Sequence, residues 1–255
     1  MKYIHVWWLF MTIISIVNII FILLQYNKIE TSFEKELYYL AAIYVVVNAI
    51  RAIWLRKDVE RTCFIDSWIS SPLLGRTLAT IAELCYVRLI ILIIKKFTEN
   101  STIHSILDMV FINIIIAEIL SWKGCLSKYQ IWNALEETTW TISSFILTIV
   151  CLYLMYLEKR TSVKRFLLFM IIGNIIYQIF MIKIDIPMYI KRCKLGEKNN
   201  LSFIESVKDM AICKSISQDF NVWKSDIPWF TGYFTSGSWS AIIFLLWYCA
   251  NKKIL

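Results

Sequence analysis

The chain is poor in residues that bend or end a backbone. It has 6 glycines and 3 prolines in 255 residues. That scarcity excludes collagen-like repeats and Pro/Gly-rich low-complexity linkers. Charged residues make up 18%, against about 25% in an average soluble domain. With 58% hydrophobic residues and a mean hydropathy of +0.61, this excludes disorder and argues against a soluble enzyme.

Histidine is scarcer still. His5 and His104 are the two, each near the end of a different apolar stretch. A Ser-His-Asp relay deep in the protein has no histidine to use. No C-x-x-C, H-E-x-x-H, P-loop or dinucleotide-binding glycine pattern occurs, so no cofactor and no motif-built metal centre are expected, a hard divalent cation on grouped carboxylates being the lesser alternative. The matched pairs of Gly/Pro-broken helices seen in many transporters are missing too. The last apolar stretch has no lysine for a Schiff base.

What is present is apolar sequence of membrane-spanning length. A helix needs roughly 20 apolar residues to cross about 30 Å of hydrocarbon. Seven stretches qualify, near 4–26, 36–55, 72–96, 102–122, 130–156, 163–183 and 228–249. None alternates with the period of a barrel strand. The expected fold is all-α, a seven-helix transmembrane bundle forming one domain over 1–255. The first stretch is too long for a signal peptide and no A-x-A-like site follows it.

Two connections are long, 56–71 and 184–227. The second holds an amphipathic segment, Ser202–Cys213, whose spacing puts Phe203, Val207, Met210 and Ala211 on one face. Such a face packs on protein or on a membrane surface. Ser71 before Pro72 reads as an N-cap followed by proline at the first helical position. Asp226 before Pro228 is a looser version of the same signal.

Seven spans would put the termini on opposite sides. Basic residues lie in the connections of both sides, so the positive-inside rule does not choose between them. Two features favour a lumenal N-terminus and a cytosolic C-terminus in the endoplasmic reticulum. The chain ends Lys252-Lys253-Ile254-Leu255, which resembles a cytosolic dilysine retrieval signal; ordinary flanking lysines are the alternative. Cys63, Cys125, Cys193 and Cys213 all fall on the N-terminal side, where an oxidising lumen allows two disulfides in three pairings. The long 184–227 loop would then be lumenal. Asn200-Leu201-Ser202 would be a usable glycosylation acceptor, and Asn100-Ser101-Thr102 a cytosolic, unused one.

Polar residues inside the spans collect in the half nearest the N-terminal side. Arg51, Arg76, Glu118, Glu136, Glu137, Asn174, Gln178 and Ser236 all lie there, and Glu83 is deepest, roughly 16 Å in. Arg76, Thr80 and Glu83 share one helix face, and Glu136 and Trp140 share another. Glu137 lies about 100° round the helix from Glu136. Arg88 and Asp108, at similar depth in the other half, look like a structural ion pair.

Intramembrane charge is costly and marks function by default, although ion pairs that fix helix order are the plainer account. The one-sided pattern suggests a polar cavity open to the lumen. Glu83 and Glu136 are the catalytic candidates, acting on a lipid or isoprenoid by acid/base chemistry. Arg76, Thr80, Arg51, Glu137, Trp140, Asn174, Gln178 and Ser236 are the substrate-binding candidates. Membrane lipids are the expected partners, since a net charge of +8 in this setting suits anionic headgroups better than nucleic acid. A non-catalytic lipid or solute carrier and a structural or chaperone subunit are the alternatives.

Overall fold

A computed structural model describes residues 3–195 and 201–252. The described chain is all-α apart from three strands of two residues each. Among the described residues, six helical segments are long and apolar enough to cross a membrane: Tyr3–Lys28, Ser32–Ile53, Pro72–Lys95, Ser101–Ser127, Ile131–Leu157 and Thr161–Lys194. Helix α1 is Tyr3–Gln25 and α2 is Ser32–Ile53. Strands β1 (Arg56–Lys57) and β2 (Thr62–Cys63) lead to α3, Pro72–Lys95. Then come α4 (Ser101–Ser127), α5 (Ile131–Leu157), α6 (Thr161–Phe180) and α7 (Ile186–Leu195). Helix α8 (Phe203–Met210), strand β3 (Ser215–Ile216) and helices α9 (Phe220–Trp223), α10 (Ile227–Thr231) and α11 (Ser238–Asn251) complete it.

The seventh expected span, 228–249, is helical but differs from the other six. It is α10, a π turn over Gly232–Gly237, and α11 in direct succession. The longest regular piece, α11, has 14 residues, about 21 Å at 1.5 Å per residue. Gly232, Thr235, Ser236 and Gly237 hold a regular helix weakly, which lets the surrounding packing widen the turn there.

The sixth span is longer than expected. Helix α6 continues through a π turn, Met181–Asp185, into α7, so the connection expected from 184 is helical to Leu195. Pro187 has no N–H for the turn behind it, and the widened turn lets Ile186 donate to the carbonyl of Met181 instead.

The chain divides into two compact units. One comprises 1–89 and 200–249, the other 90–199 and 250–255.

In the first unit, α1 packs along α2. Thr31 and Glu34 form a reciprocal capping box that starts α2. Beyond α2 the charged segment folds into a small cap. Strands β1 and β2 pair antiparallel, with Arg61 at φ 56° in the turn, and β3 pairs parallel to β2. Cys63 and Cys213 form a disulfide. Phe64 and Trp223 bury against Ile4, Met11, Ala52, Leu55 and Phe234, which seats the cap on the starting turns of α1.

Ser71 caps α3, its Oγ accepting from the N–H of Leu74, and the helix starts at Pro72 as expected. Asp226 precedes α10 but its carboxylate binds Lys57 Nζ at 2.7 Å. The segment around 202–213 is helical over Phe203–Met210 behind a Ser202–Glu205 capping box. Its buried residues are Ser206, Asp209 and Met210. Of the face expected from spacing, Met210 is buried while Phe203 and Ala211 are exposed. Asp209 decides this, because its carboxylate binds buried Arg61 at 3.0 Å and also Lys214.

In the second unit, α5 packs against α4, α6 and α7. Asn100 caps α4 by accepting from the N–H groups of Thr102 and Ile103. Cys125 and Cys193 are thiols, so one disulfide forms where the four cysteines allow two. Asp108 pairs with Lys95 at 2.6 Å, and the expected pairing with Arg88 is not the one made. Asn200 and the terminal Lys253-Ile254-Leu255 lie outside the described residues.

Candidate functional site

The expected site residues fall into two groups, one per unit. Arg51, Arg76, Thr80, Glu83 and Ser236 belong to the first unit. Glu136, Glu137, Trp140, Asn174 and Gln178 belong to the second.

In the first unit, α2, α3 and the π turn before α11 each contribute charged or hydroxyl groups. Arg76 and Glu83 sit two turns apart on α3, and Arg76 Nη2 donates to Glu83 Oε2 at 3.1 Å. The shared face read from their spacing is therefore real. Arg51, near the end of α2, places Nη1 3.6 Å from Glu83 Oε1. Tyr233 closes the group: its hydroxyl donates to Glu83 Oε1 at 2.8 Å and accepts from Arg51 Nη1 at 3.1 Å. The Arg51 guanidinium also lies 5.0 Å from the Tyr233 ring centroid, close enough for a cation–π contact.

Arg51 has five N–H donors. Among the described residues, its one hydrogen bond uses Nη1. Its side chain is 12% exposed. Its remaining donors make no hydrogen bond among the described residues.

A second layer lies beside this group. Asn48, one turn before Arg51, donates to Ser238 Oγ at 3.3 Å. Tyr44 stacks on Tyr86 at 4.5 Å, and the Tyr86 hydroxyl meets Ser240 Oγ at 2.7 Å. A Cβ on Gly237 would come 2.6 Å from the Tyr44 hydroxyl, so the small residue there makes room for that ring. Ser236 is exposed, whereas Ser238 is buried. Thr80 is half-buried.

Arg56 borders the start of α3. Its Nη1 donates to the carbonyls of Trp54 and Ile69, and its Nε lies 3.3 Å from Asp58. Burial pulls its pKa down to about 10, against the pull of Asp58. A Cβ on Gly75 would fall 1.6 Å from Arg56 Nε, so only glycine lets this guanidinium lie on the helix backbone.

In the second unit, Glu118, Glu136, Glu137 and Asp185 are all buried. Asn133 Nδ2 donates to Glu136 Oε2 at 3.2 Å. A Glu136 carboxylate oxygen lies within 4.8 Å of one from Glu118. Two carboxylates so close in a low dielectric need a proton, a cation or basic side chains between them. Gln178 donates to Ser144 at 3.1 Å and Thr148 at 3.0 Å, and Ser144 donates to Asn174 at 3.1 Å. These bonds tie α6 to α5 within the span, a common use of polar side chains there. Trp140 is half-buried.

Sequence reading missed Tyr233, Asn48 and Asp185. Asn48 could have been found, since it lies three residues before Arg51 on the same helix face. Tyr233 and Asp185 sit in or at the end of π turns. That geometry leaves no reliable mark in sequence, yet it recurs at functional sites.

Comparison with family models, curated proteins and solved structures returns no match for this chain.

Proposed function

We propose that this is a multi-pass membrane enzyme that acts on an anionic lipid or isoprenoid through the Arg51, Arg76, Glu83 and Tyr233 group. Arg51 and Arg76 hold the anionic headgroup. Tyr233 exchanges a proton with the substrate and passes it to or from Glu83, with which it already shares a 2.8 Å hydrogen bond. Thr80, one turn below Arg76 on the same face, lines the approach. The carrying observation is Arg51 itself, a guanidinium near the end of α2 whose hydrogen bond to Tyr233 uses one of five donors. An intramembrane cation with donors left over suits an anionic ligand.

Of the two carboxylates first considered catalytic, Glu83 takes the acid/base role. Glu136 keeps a separate role, exchanging a proton with Glu118 in its own unit. Glu137, Trp140, Asn174, Gln178 and the exposed Ser236 are not needed for this reaction.

In this reading α10, the π turn and α11 together make the seventh crossing, so the termini face opposite sides. The membrane is that of the endoplasmic reticulum, with the N-terminus lumenal. The Cys63–Cys213 disulfide supports that orientation, because disulfides persist in the lumen and not in the cytosol.

A second reading has one observation in its favour. Both oxygens of Glu83 already meet donors, as in a structural ion pair, which suits a non-catalytic lipid carrier or an assembly subunit. Untargeted lipid analysis separates the two. Membranes carrying wild type, Tyr233→Phe or Arg51→Gln are compared at matched abundance. A reciprocal change in two anionic lipids, lost in Tyr233→Phe, supports the enzyme. No difference between wild type and protein-free membranes overturns it.

A further inference from the structure

Helix α8 has three distinct sectors. Ser206, Asp209 and Met210 are buried against the protein. Glu205 and Lys208 are exposed and polar. Between these lie Phe203 at 71% and Ile204 at 66% exposure, with Val207 beside them and Ala211 just past the helix. Leu201 and Ile212, both exposed, extend the apolar sector beyond each end. An isolated loop helix in water would turn these residues inward. Here the Asp209 ion pair with Arg61 fixes the rotation that leaves them out.

The position of α8 identifies what covers that sector. Phe64 stacks on Trp8 at 5.5 Å and meets His5 edge-on at 6.0 Å, so it lies level with the first turns of α1. Cys63, next to Phe64, is bonded to Cys213, with 5.8 Å between their Cα atoms. Cys213 follows α8 by three residues. Gln218 also hydrogen-bonds His5 at 3.0 Å. The cap that carries α8 is thus held where α1 would enter the bilayer. Tyr3 and Val6 of α1, at the same level, are exposed apolar residues.

We infer that α8 lies in the plane of the membrane interface on the disulfide side, with Phe203, Ile204 and Val207 in the boundary between headgroups and acyl chains. One flank docked on protein, an apolar flank and a polar flank are the features of an interfacial helix. Exposed Lys208 on the polar flank faces the headgroups, where a cation gains from anionic lipid. This inference holds whether or not the protein is an enzyme.

The test uses the full chain in nanodiscs of phosphatidylcholine and phosphatidylserine. A dansyl amino acid replaces Phe203 in one sample and Lys208 in another. Each is quenched with a nitroxide placed high on a lipid acyl chain, then with iodide in the water. The Phe203 probe should lose most of its emission to the nitroxide and little to iodide, and the Lys208 probe the reverse. Equal iodide quenching at both positions overturns the inference. Shielding of the Phe203 probe from both quenchers also overturns it, by showing protein against that face. An intact Cys63–Cys213 bond, read by mass, confirms folding of each sample; if the Phe203 probe fails that check, Ile204 takes its place.

Discussion

At the scale of single residues, the decisive group is Glu83 between Arg76, Arg51 and Tyr233. Its contacts differ in kind. Arg76 is a charge partner at 3.1 Å, and Tyr233 is a neutral donor at 2.8 Å. Removing one partner of a buried ion pair costs about 3–5 kcal/mol, because a charge is left without compensation. Losing one hydrogen bond to a charged group costs about 2 kcal/mol. Glu83→Ala should therefore destabilise the protein clearly more than Tyr233→Phe in unfolding by sodium dodecyl sulfate in mixed micelles. Equal, small losses would show that the arginines find other acceptors. The Arg76–Glu83 contact was legible in the sequence, because i and i+7 meet on a helix. Tyr233 was not, because its aim depends on a π turn.

At the scale of elements, the links between spans carry specific contacts. Glu158, between α5 and α6, accepts from the Lys159 and Arg160 N–H groups at 2.8 and 2.9 Å, and from Arg160 Nη2 at 2.6 Å. The Arg160 side chain is the main cause that holds its pKa at about 2, down from 4.5. A carboxyl whose pKa falls on folding stabilises the fold fully above its ordinary value. That contribution fades as pH falls from 4.5 towards 2. Glu158→Gln should be less stable than wild type at neutral pH, with the gap closing below about pH 4. A gap unchanged across that range would show that Glu158 acts only through packing.

The cap is the second case at this scale. The Cys63–Cys213 bond closes a separation of 150 residues. Loop entropy alone assigns such a bond about 5 kcal/mol. Spans held in a membrane already restrict the loops, so replacing both cysteines with serine should cost nearer 2 kcal/mol. It should also expose the 56–71 segment to protease added on that side. Unchanged proteolysis would show that the β2–β3 pairing and the Arg61–Asp209 contact hold the cap alone.

At the scale of the whole molecule, orientation is the property to test. Asn100 and Asn200 both lie in acceptor sequences. With the N-terminus lumenal, Asn200 should carry a glycan and Asn100 none when the chain is made in microsomes. A glycan on Asn100 would reverse the orientation. Asn100 has a second role that does not depend on side: its Oδ1 caps α4. Asn100→Ala should cost about 1 kcal/mol in either orientation.

Helical class, the six long apolar spans and the start of α3 at Pro72 follow from the sequence itself. Each rests on local information: apolar length, a capping residue, a proline. So does the Arg76–Glu83 face, which helical period places. The tertiary structure alone decided which cysteine partners Cys63, that Asp108 takes Lys95, and that α8 turns Phe203 outward. It also brought Arg51, Glu83 and Tyr233 together from three separate segments. Pairings between segments depend on how helices rotate about their axes, and that rotation is set by long-range contacts such as Asp209 with Arg61. The two π turns belong with these, because a widened turn persists only where surrounding packing holds it.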